Sequence, residues 1–213
     1  MMNIYGVIYS PYAARVVIAA RFKGVKYKMS APKDGLKTPA FLKLNPLGKV
    51  PVLKDGSTVL FESAVIVEYL EAKYKKKPLV PKAAKAGAEA RLIAAMFSEY
   101  LQPNTLALWS QLDPSKRDQA VVDAKVAEVS RILDIIEKRM GSKYCAGSKL
   151  TIADVYAVPV MFFVLTLLPM IGVADPLKGR KKLAKYAVHA RKDKILGGVL
   201  ADMDAAFKQV MGI

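Results

Sequence analysis

The spacing of apolar and polar residues along the first third of the chain changes period several times, and each change marks an element. Asn3 to Val7 gathers Ile4, Tyr5 and Val7 in a short run that suits a strand. Ser10-Pro11 opens a helix, because a proline at the first helical position gives up an N–H that has no partner there. Arg15, Val16, Ile18, Ala19 and Phe22 carry that helix's stripe, and Gly24 ends it. Lys26 to Met29 reads as a second strand, which completes a βαβ unit. A polar loop over Lys33 to Thr38, a short helix over Pro39 to Leu44 and the turn Asn45-Pro46-Leu47-Gly48 follow. Asp55-Gly56-Ser57 between Pro51-Val52-Leu53-Lys54 and Thr58-Val59-Leu60 predicts a hairpin. From Glu62 the period is helical again, with Val65, Ile66, Tyr69 and Leu70 on one side.

This helix fades into Lys75-Lys76-Lys77-Pro78, and with Pro81 close by the segment reads as a solvated linker over residues 78–84. Everything beyond it has helical spacing. Lys85 to Leu112 sets Met96, Tyr100, Asn104 and Leu108 on one face, with a kink expected at Pro103. Pro114 to Met140 is long and amphipathic, Thr151 to Leu165 is the apolar helix, and two further helices are expected near 178–190 and 196–211. The first part is therefore α/β and the second all-α. The uncharged stretch Val155 to Ala174 is bracketed by Asp154 and Asp175 and interrupted by Pro159, Pro169 and Gly172. A membrane span needs roughly 20 continuous apolar residues, so a buried central helix running into a loop is the expectation.

Composition narrows the chemistry. A single cysteine, Cys145, rules out a disulfide framework within the chain, and a single histidine, His189, leaves little material for a zinc site or a serine–histidine triad. No metal is expected. Cys145 reads as a small core hydrophobe and His189 as an ordinary helix residue. Met1 to Gly6 has no basic segment ahead of a long apolar run, so a cytoplasmic location is the default expectation. The formal net charge is +16, of which residues 1–84 hold +10 and residues 85–213 hold +6. Such a field attracts anions of any kind and selects none by itself.

Two stretches say more. One is Asn45-Pro46-Leu47-Gly48-Lys49-Val50-Pro51-Val52-Leu53, followed by Phe61-Glu62-Ser63-Ala64-Val65-Ile66; the other is Ala146-Gly147-Ser148-Lys149-Leu150-Thr151-Ile152-Ala153-Asp154. In order and spacing they resemble the signatures of the cytosolic glutathione S-transferase superfamily. The resemblance covers nearly the whole chain, most clearly residues 37–70 and 146–154. It implies a thioredoxin-like glutathione-binding domain over 1–77, a linker over 78–84 and an all-helical domain over 85–213. It also implies glutathione as cosubstrate, a homodimer and a role in detoxification. In that fold the proline at Pro51 is typically cis, so that the backbone of Val50 can pair with a bound peptide as an added strand does. Glu62 and Ser63 would meet the γ-glutamyl end of glutathione at a helix N-terminus, with helix capping by Ser63 as the plainer alternative. Lys37 and Lys49 match positions that hold the glycyl carboxylate in plant phi-type enzymes. Thr151 to Asp154 is a capping box with a structural role.

Ser10-Pro11-Tyr12-Ala13 occupies the place of a glutaredoxin-like Cys-Pro-Tyr-Cys, and without either cysteine it cannot exchange disulfides. By resemblance to phi-, zeta- and theta-type enzymes, Ser10 would be the catalytic hydroxyl that ionises the glutathione thiol for attack on a small hydrophobic electrophile. Tyr9 and Tyr12 remain alternatives, and Ser10 as a plain helix cap is a third. Tyr12, Tyr100, Asn104 and Leu108 are the residues expected to meet the electrophile. The alternative to an enzyme is a non-catalytic interaction module of a translation assembly. Lys37 to Leu42 and Gly48 to Pro51 also resemble such modules, but no appended domain is expected and the glutathione-site residues look complete. A nucleic-acid partner is accordingly not expected.

Overall fold

The computed structural model describes residues 1–212. In chain order the elements are β1 (Met2–Tyr5), α1 (Pro11–Lys23), β2 (Tyr27–Ser30), α2 (Pro39–Leu42), β3 (Val52–Asp55), β4 (Thr58–Phe61), α3 (Ser63–Lys73) and α4 (Ala84–Ala95). They continue with α5 (Gln102–Ala107), α6 (Gln119–Arg139), α7 (Ile152–Met170), α8 (Lys181–Lys192) and α9 (Lys194–Met211). Contacts divide the chain into two compact units: residues 1–79 with the C-terminal segment from Asp193, and Val80–Lys192.

In the first unit the strands form one mixed sheet in the order β2-β1-β3-β4. β1 pairs in parallel with β2, setting Ile4 beside Met29, and antiparallel with β3, setting Ile4 beside Leu53. The β3–β4 hairpin closes at Asp55 and Thr58 across Gly56, whose φ of 62° is the left-handed conformation that an Asp-Gly turn supplies. Tyr69 donates to Asp55 at 2.9 Å and so ties α3 to the hairpin. Lys73 also bonds Asp55, and that bond holds its carboxyl below the usual range.

α1 is buried from Ala13 to Ala20, every residue but Arg15 apolar, and contacts both α3 and α9. Burial on more than one side fits the place of α9, whose buried residues Leu196, Val199, Leu200, Met203 and Phe207 give α1 a second apolar partner. The sequence groups residues 85–213 in one helical domain; in the structure the segment from Asp193 onward packs with the first unit. A buried lysine secures the end of α3. The side chain of Lys23, with no exposed surface, lies 2.6 Å from Glu71 and donates to the carbonyl of Tyr74 at 2.8 Å. Glu71 in turn accepts from the N–H of Leu79 at 3.0 Å.

The second unit is helical. Between α4 and α5 runs a π-helical turn, Met96–Leu101, and the N–H of Gln102 reaches back to the carbonyl of Phe97. Pro103 is the cause: its ring and its missing N–H disturb the carbonyl four residues earlier, and a wider turn relieves the clash. The kink expected at Pro103 thus takes the form of a π turn just before it. α7 opens with the Thr151–Asp154 capping box and runs on through Pro159 to Met170. An interior proline costs about 3 kcal/mol. Burial of neighbours such as Val155, Val158 and Phe162, each contributing about 1.5–3 kcal/mol, offsets it. α7 is long and apolar enough to cross a membrane, yet 83% of its apolar window is buried within the protein.

Asp154 is buried and accepts from the N–H groups of Cys145 and Thr151 at 2.9 and 2.8 Å. Burial nevertheless pushes its carboxyl up, against the pull of those bonds. Burial first, and the nearby Asp154 charge second, push the Cys145 thiol well up. Such a thiol carries negligible thiolate near neutral pH, and Cys145 is a core residue.

Candidate active site

The loop after β1 delivers Ser10 to the N-terminus of α1. Ser10 caps that helix in extended backbone geometry, its Oγ accepting from the N–H of Ala13 at 3.4 Å, and Pro11 supplies the first helical residue. Capping uses a lone pair of the hydroxyl and leaves its proton available to a second partner. Capping and catalysis are therefore compatible at Ser10.

Opposite in sequence but adjacent in space is the turn leading into β3. Asn45 is buried, donates to the carbonyl of Lys49 at 2.7 Å and accepts from the N–H of Leu47 at 3.0 Å. Gly48 closes the turn at φ 60°, where a Cβ would come within 2.9 Å of Lys37 Nζ and 3.0 Å of the Leu36 carbonyl. Only glycine fits there. The turn leads to a cis peptide bond between Val50 and Pro51.

The third contributor is the start of α3. Glu62 precedes it with φ 67°, a left-handed conformation unusual for a residue with a side chain. No side chain caps this helix end. Ser63 is the first helical residue rather than the cap, and it is buried. The N–H groups of the first turn and the positive end of the helix dipole are left to attract an anion.

These three segments enclose a cavity of about 370 Å³ lined by Ser10, Tyr12, Lys49, Val50, Pro51, Glu62 and Ser63, together with Leu36 and Asn45. Seven residues singled out by sequence thus meet in one place. Lys37 is exposed, reaching the Leu47 carbonyl at 3.5 Å from outside the lining. Tyr12 is half-exposed, with the Arg15 guanidinium 5.2 Å from its ring centre, whereas Tyr9 does not line the cavity. The other three residues expected to meet the electrophile belong to the second unit. Leu108 is wholly buried and offers a ligand no surface. Tyr100 is exposed, and Asn104 binds the Tyr100 carbonyl at 2.8 Å and accepts from Lys125 at 2.9 Å. Asn45 and Leu36 are the lining residues that sequence reading did not single out. An Asn-Pro pair signals a turn, and nothing in it shows that the amide turns inward. Among the described residues no group of three His, Cys, Asp or Glu side chains is placed to hold a metal.

Comparison with known proteins supplies the family to which this fold belongs. The family profile "Glutathione S-transferase, N-terminal domain" matches residues 4–78, and "Glutathione S-transferase, C-terminal domain" matches residues 59–190. The chain is 34% identical to glutathione S-transferase 3 of Zea mays, over 72% of this chain and 73% of that protein. It is 33% identical to glutathione S-transferase F7 of Arabidopsis thaliana, over 77% and 84%. Among solved structures, glutathione transferase F7 from Populus trichocarpa superposes with a TM-score of 0.83 at 22% identity, covering 95% of this chain and 99% of that one. The chain belongs to the glutathione S-transferase family, an enzyme family, and has its fold of a thioredoxin-like α/β part and a helical part.

Proposed function

We propose that this protein activates the thiol of glutathione as a thiolate for attack on a small hydrophobic electrophile, with Ser10 as the activating residue. The observation that carries the reading is the meeting, in one cavity, of a helix-capping hydroxyl, a cis Val50–Pro51 turn and an uncapped helix N-terminus at Ser63. In this reading the γ-glutamyl carboxylate lies on the first turn of α3 with the Ser63 hydroxyl, and Glu62 accepts from the α-ammonium group. The backbone of Val50 pairs with the cysteinyl residue as an added strand does. Lys49, with Lys37 behind it, draws the glycyl carboxylate.

The sulfur then lies by Ser10. A free thiol has a pKa near 8.5, so little is ionised at neutral pH. A hydrogen bond donated by the Ser10 hydroxyl stabilises the charged form, and the N-terminus of α1 adds partial positive charge. The thiolate attacks the electrophile, the new bond to sulfur forms, and the leaving group departs with its electron pair. No covalent enzyme intermediate is involved, and the protein contributes ionisation and positioning. Tyr12 is the lining residue we assign to the electrophile side. The active form is proposed to be a cytoplasmic homodimer.

The test is retention on immobilised glutathione followed by turnover of a general chloroarene electrophile, with wild type and Ser10→Ala. Retention of both and turnover by wild type alone is the expected outcome. Retention without turnover by wild type would argue for a binding module instead.

A further inference from the structure

Residues 178–192, which are α8 and the turn before it, hold seven basic residues and no acidic one. Leu183, Tyr186 and Ala190 fix the buried side of α8. On the opposite side, Lys181, Lys185, Val188 and Lys192 fall in one stripe, roughly 60° wide and about 16 Å long at about 3.6 residues per turn. All four are exposed, Val188 by 57%. We propose that this stripe docks the protein peripherally on an anionic lipid surface, with the lysines on the headgroup charges and Val188 at the headgroup boundary.

The three lysines of the stripe are left unanswered by the chain. Among the described residues none of them enters an ion pair. The acids that reach this segment from α6 serve other groups. Asp134 accepts from Arg180 at 2.8 Å, and Glu137 accepts from the N–H groups of Lys182 and Leu183 at the positive end of α8. Asp175, ahead of the segment, accepts from the N–H of Leu177 at 3.0 Å, and Asp193, behind it, caps α9. Lys143 widens the field: its ammonium lies 5.6 Å from the centre of the Tyr144 ring, which packs edge-on against His189 of α8 at 4.8 Å. Like charges four residues apart, as at Lys181 and Lys185, destabilise a helix, and an anionic surface relieves that repulsion. The packing of the aromatic rings selects among anionic partners. Tyr186 is buried and Tyr144 lies against His189. A single-stranded nucleic acid draws much of its affinity from bases stacked on exposed rings, and the stripe carries none. A lipid surface needs no ring, because its headgroups move sideways to meet the lysines. Each lysine close to such a surface is worth about fivefold in affinity, so three give on the order of a hundredfold preference over a neutral surface.

Sedimentation of the full-length protein with phosphatidylcholine vesicles, pure or carrying about 30 mol% phosphatidylserine, tests the proposal. At about 0.05 M salt the protein should bind the anionic vesicles at least about tenfold more tightly than the neutral ones, and about 0.5 M salt should release it. Lys181→Glu combined with Lys185→Glu should bind about thirtyfold more weakly or worse. Lys26→Glu combined with Lys28→Glu makes the same change in net charge on exposed residues of the first unit. That variant should stay within about threefold of wild type, since its lysines lie outside the stripe. In Val188→Trp the added indole should shift its emission to the blue on anionic vesicles. Wild type, with Trp109 alone, should show no such shift. Equal binding to neutral and anionic vesicles, an equal loss in the Lys26 and Lys28 variant, or an unmoved indole emission would overturn the proposal. Binding of a single-stranded oligothymidylate in place of the anionic vesicles would overturn it too, by assigning the stripe to nucleic acid.

Discussion

At the scale of single residues, Ser10 bears two loads that can be measured apart. Its Oγ caps α1, and loss of a cap typically lowers stability by about 1 kcal/mol. In the proposed chemistry its proton also reaches the sulfur, and removing one such donor typically lowers turnover by about 10²–10³-fold. Ser10→Ala should therefore show a small drop in urea midpoint beside a large drop in kcat, with glutathione still bound; Tyr12→Phe should keep kcat within a small factor. A kcat loss no larger than the loss of folded protein would reduce Ser10 to its capping role. Much of this site was legible in the sequence, because Ser10 and Glu62-Ser63 stand where the chain passes from a strand to a helix, and Val50-Pro51 where a turn gives way to a strand. The inward amide of Asn45 and the left-handed backbone of Glu62 were not legible. Both depend on what the rest of the chain places around them. Glu62 in particular breaks the ordinary preference of its residue type, as strained positions beside ligand sites do.

Elements are held by a few buried polar groups whose removal should be felt strongly. Lys23 has no exposed side-chain surface, and its charge is answered by Glu71. Glu71→Ala leaves that ammonium buried and unanswered, and the loss should be about 3–5 kcal/mol. The double variant Lys23→Met, Glu71→Leu should recover most of it. Equal destabilisation of single and double variants, read from urea unfolding, would show that packing rather than charge decides. In the capping box of α7, the Asp154 carboxyl is raised by burial. A carboxyl whose folded pKa lies above its unfolded value of about 3.9 contributes stability while protonated. That contribution is lost as pH rises through the folded value. Asp154→Asn, which is neutral at every pH, should lose about 1–3 kcal/mol through the acceptor it lacks. Its deficit relative to wild type should shrink as pH rises above about 4. A deficit that grows over that range would contradict the raised value. The capping box was readable from Thr151 and Asp154 alone. The π turn before Pro103 was not, because sequence locates the disturbance without saying which way the helix yields.

For the whole molecule, the least legible feature was where the last helix goes. Residues 194–211 have a clear helical stripe, but a stripe says only that one face needs cover. The apolar run Val16 to Ala20, wider than one stripe, was the available clue that a second partner must reach α1. Charge acts at this scale as well. With a formal net of +16, the protein should gather anionic glutathione at low ionic strength. Between about 0.01 and 1 M salt the screening length falls from about 30 to 3 Å. The Michaelis constant for glutathione should rise across that range with kcat nearly constant, and a constant unaffected by salt would leave binding to short-range contacts alone.

The most direct test of the whole account is the pKa of the glutathione thiol while bound, followed through the ultraviolet absorbance of the thiolate as pH is varied, in wild type and in Ser10→Ala. The account expects the wild-type complex to ionise well below the free-thiol value of about 8.5, and the variant complex to return towards it. Identical titration of the two complexes, with glutathione bound in both, would contradict it.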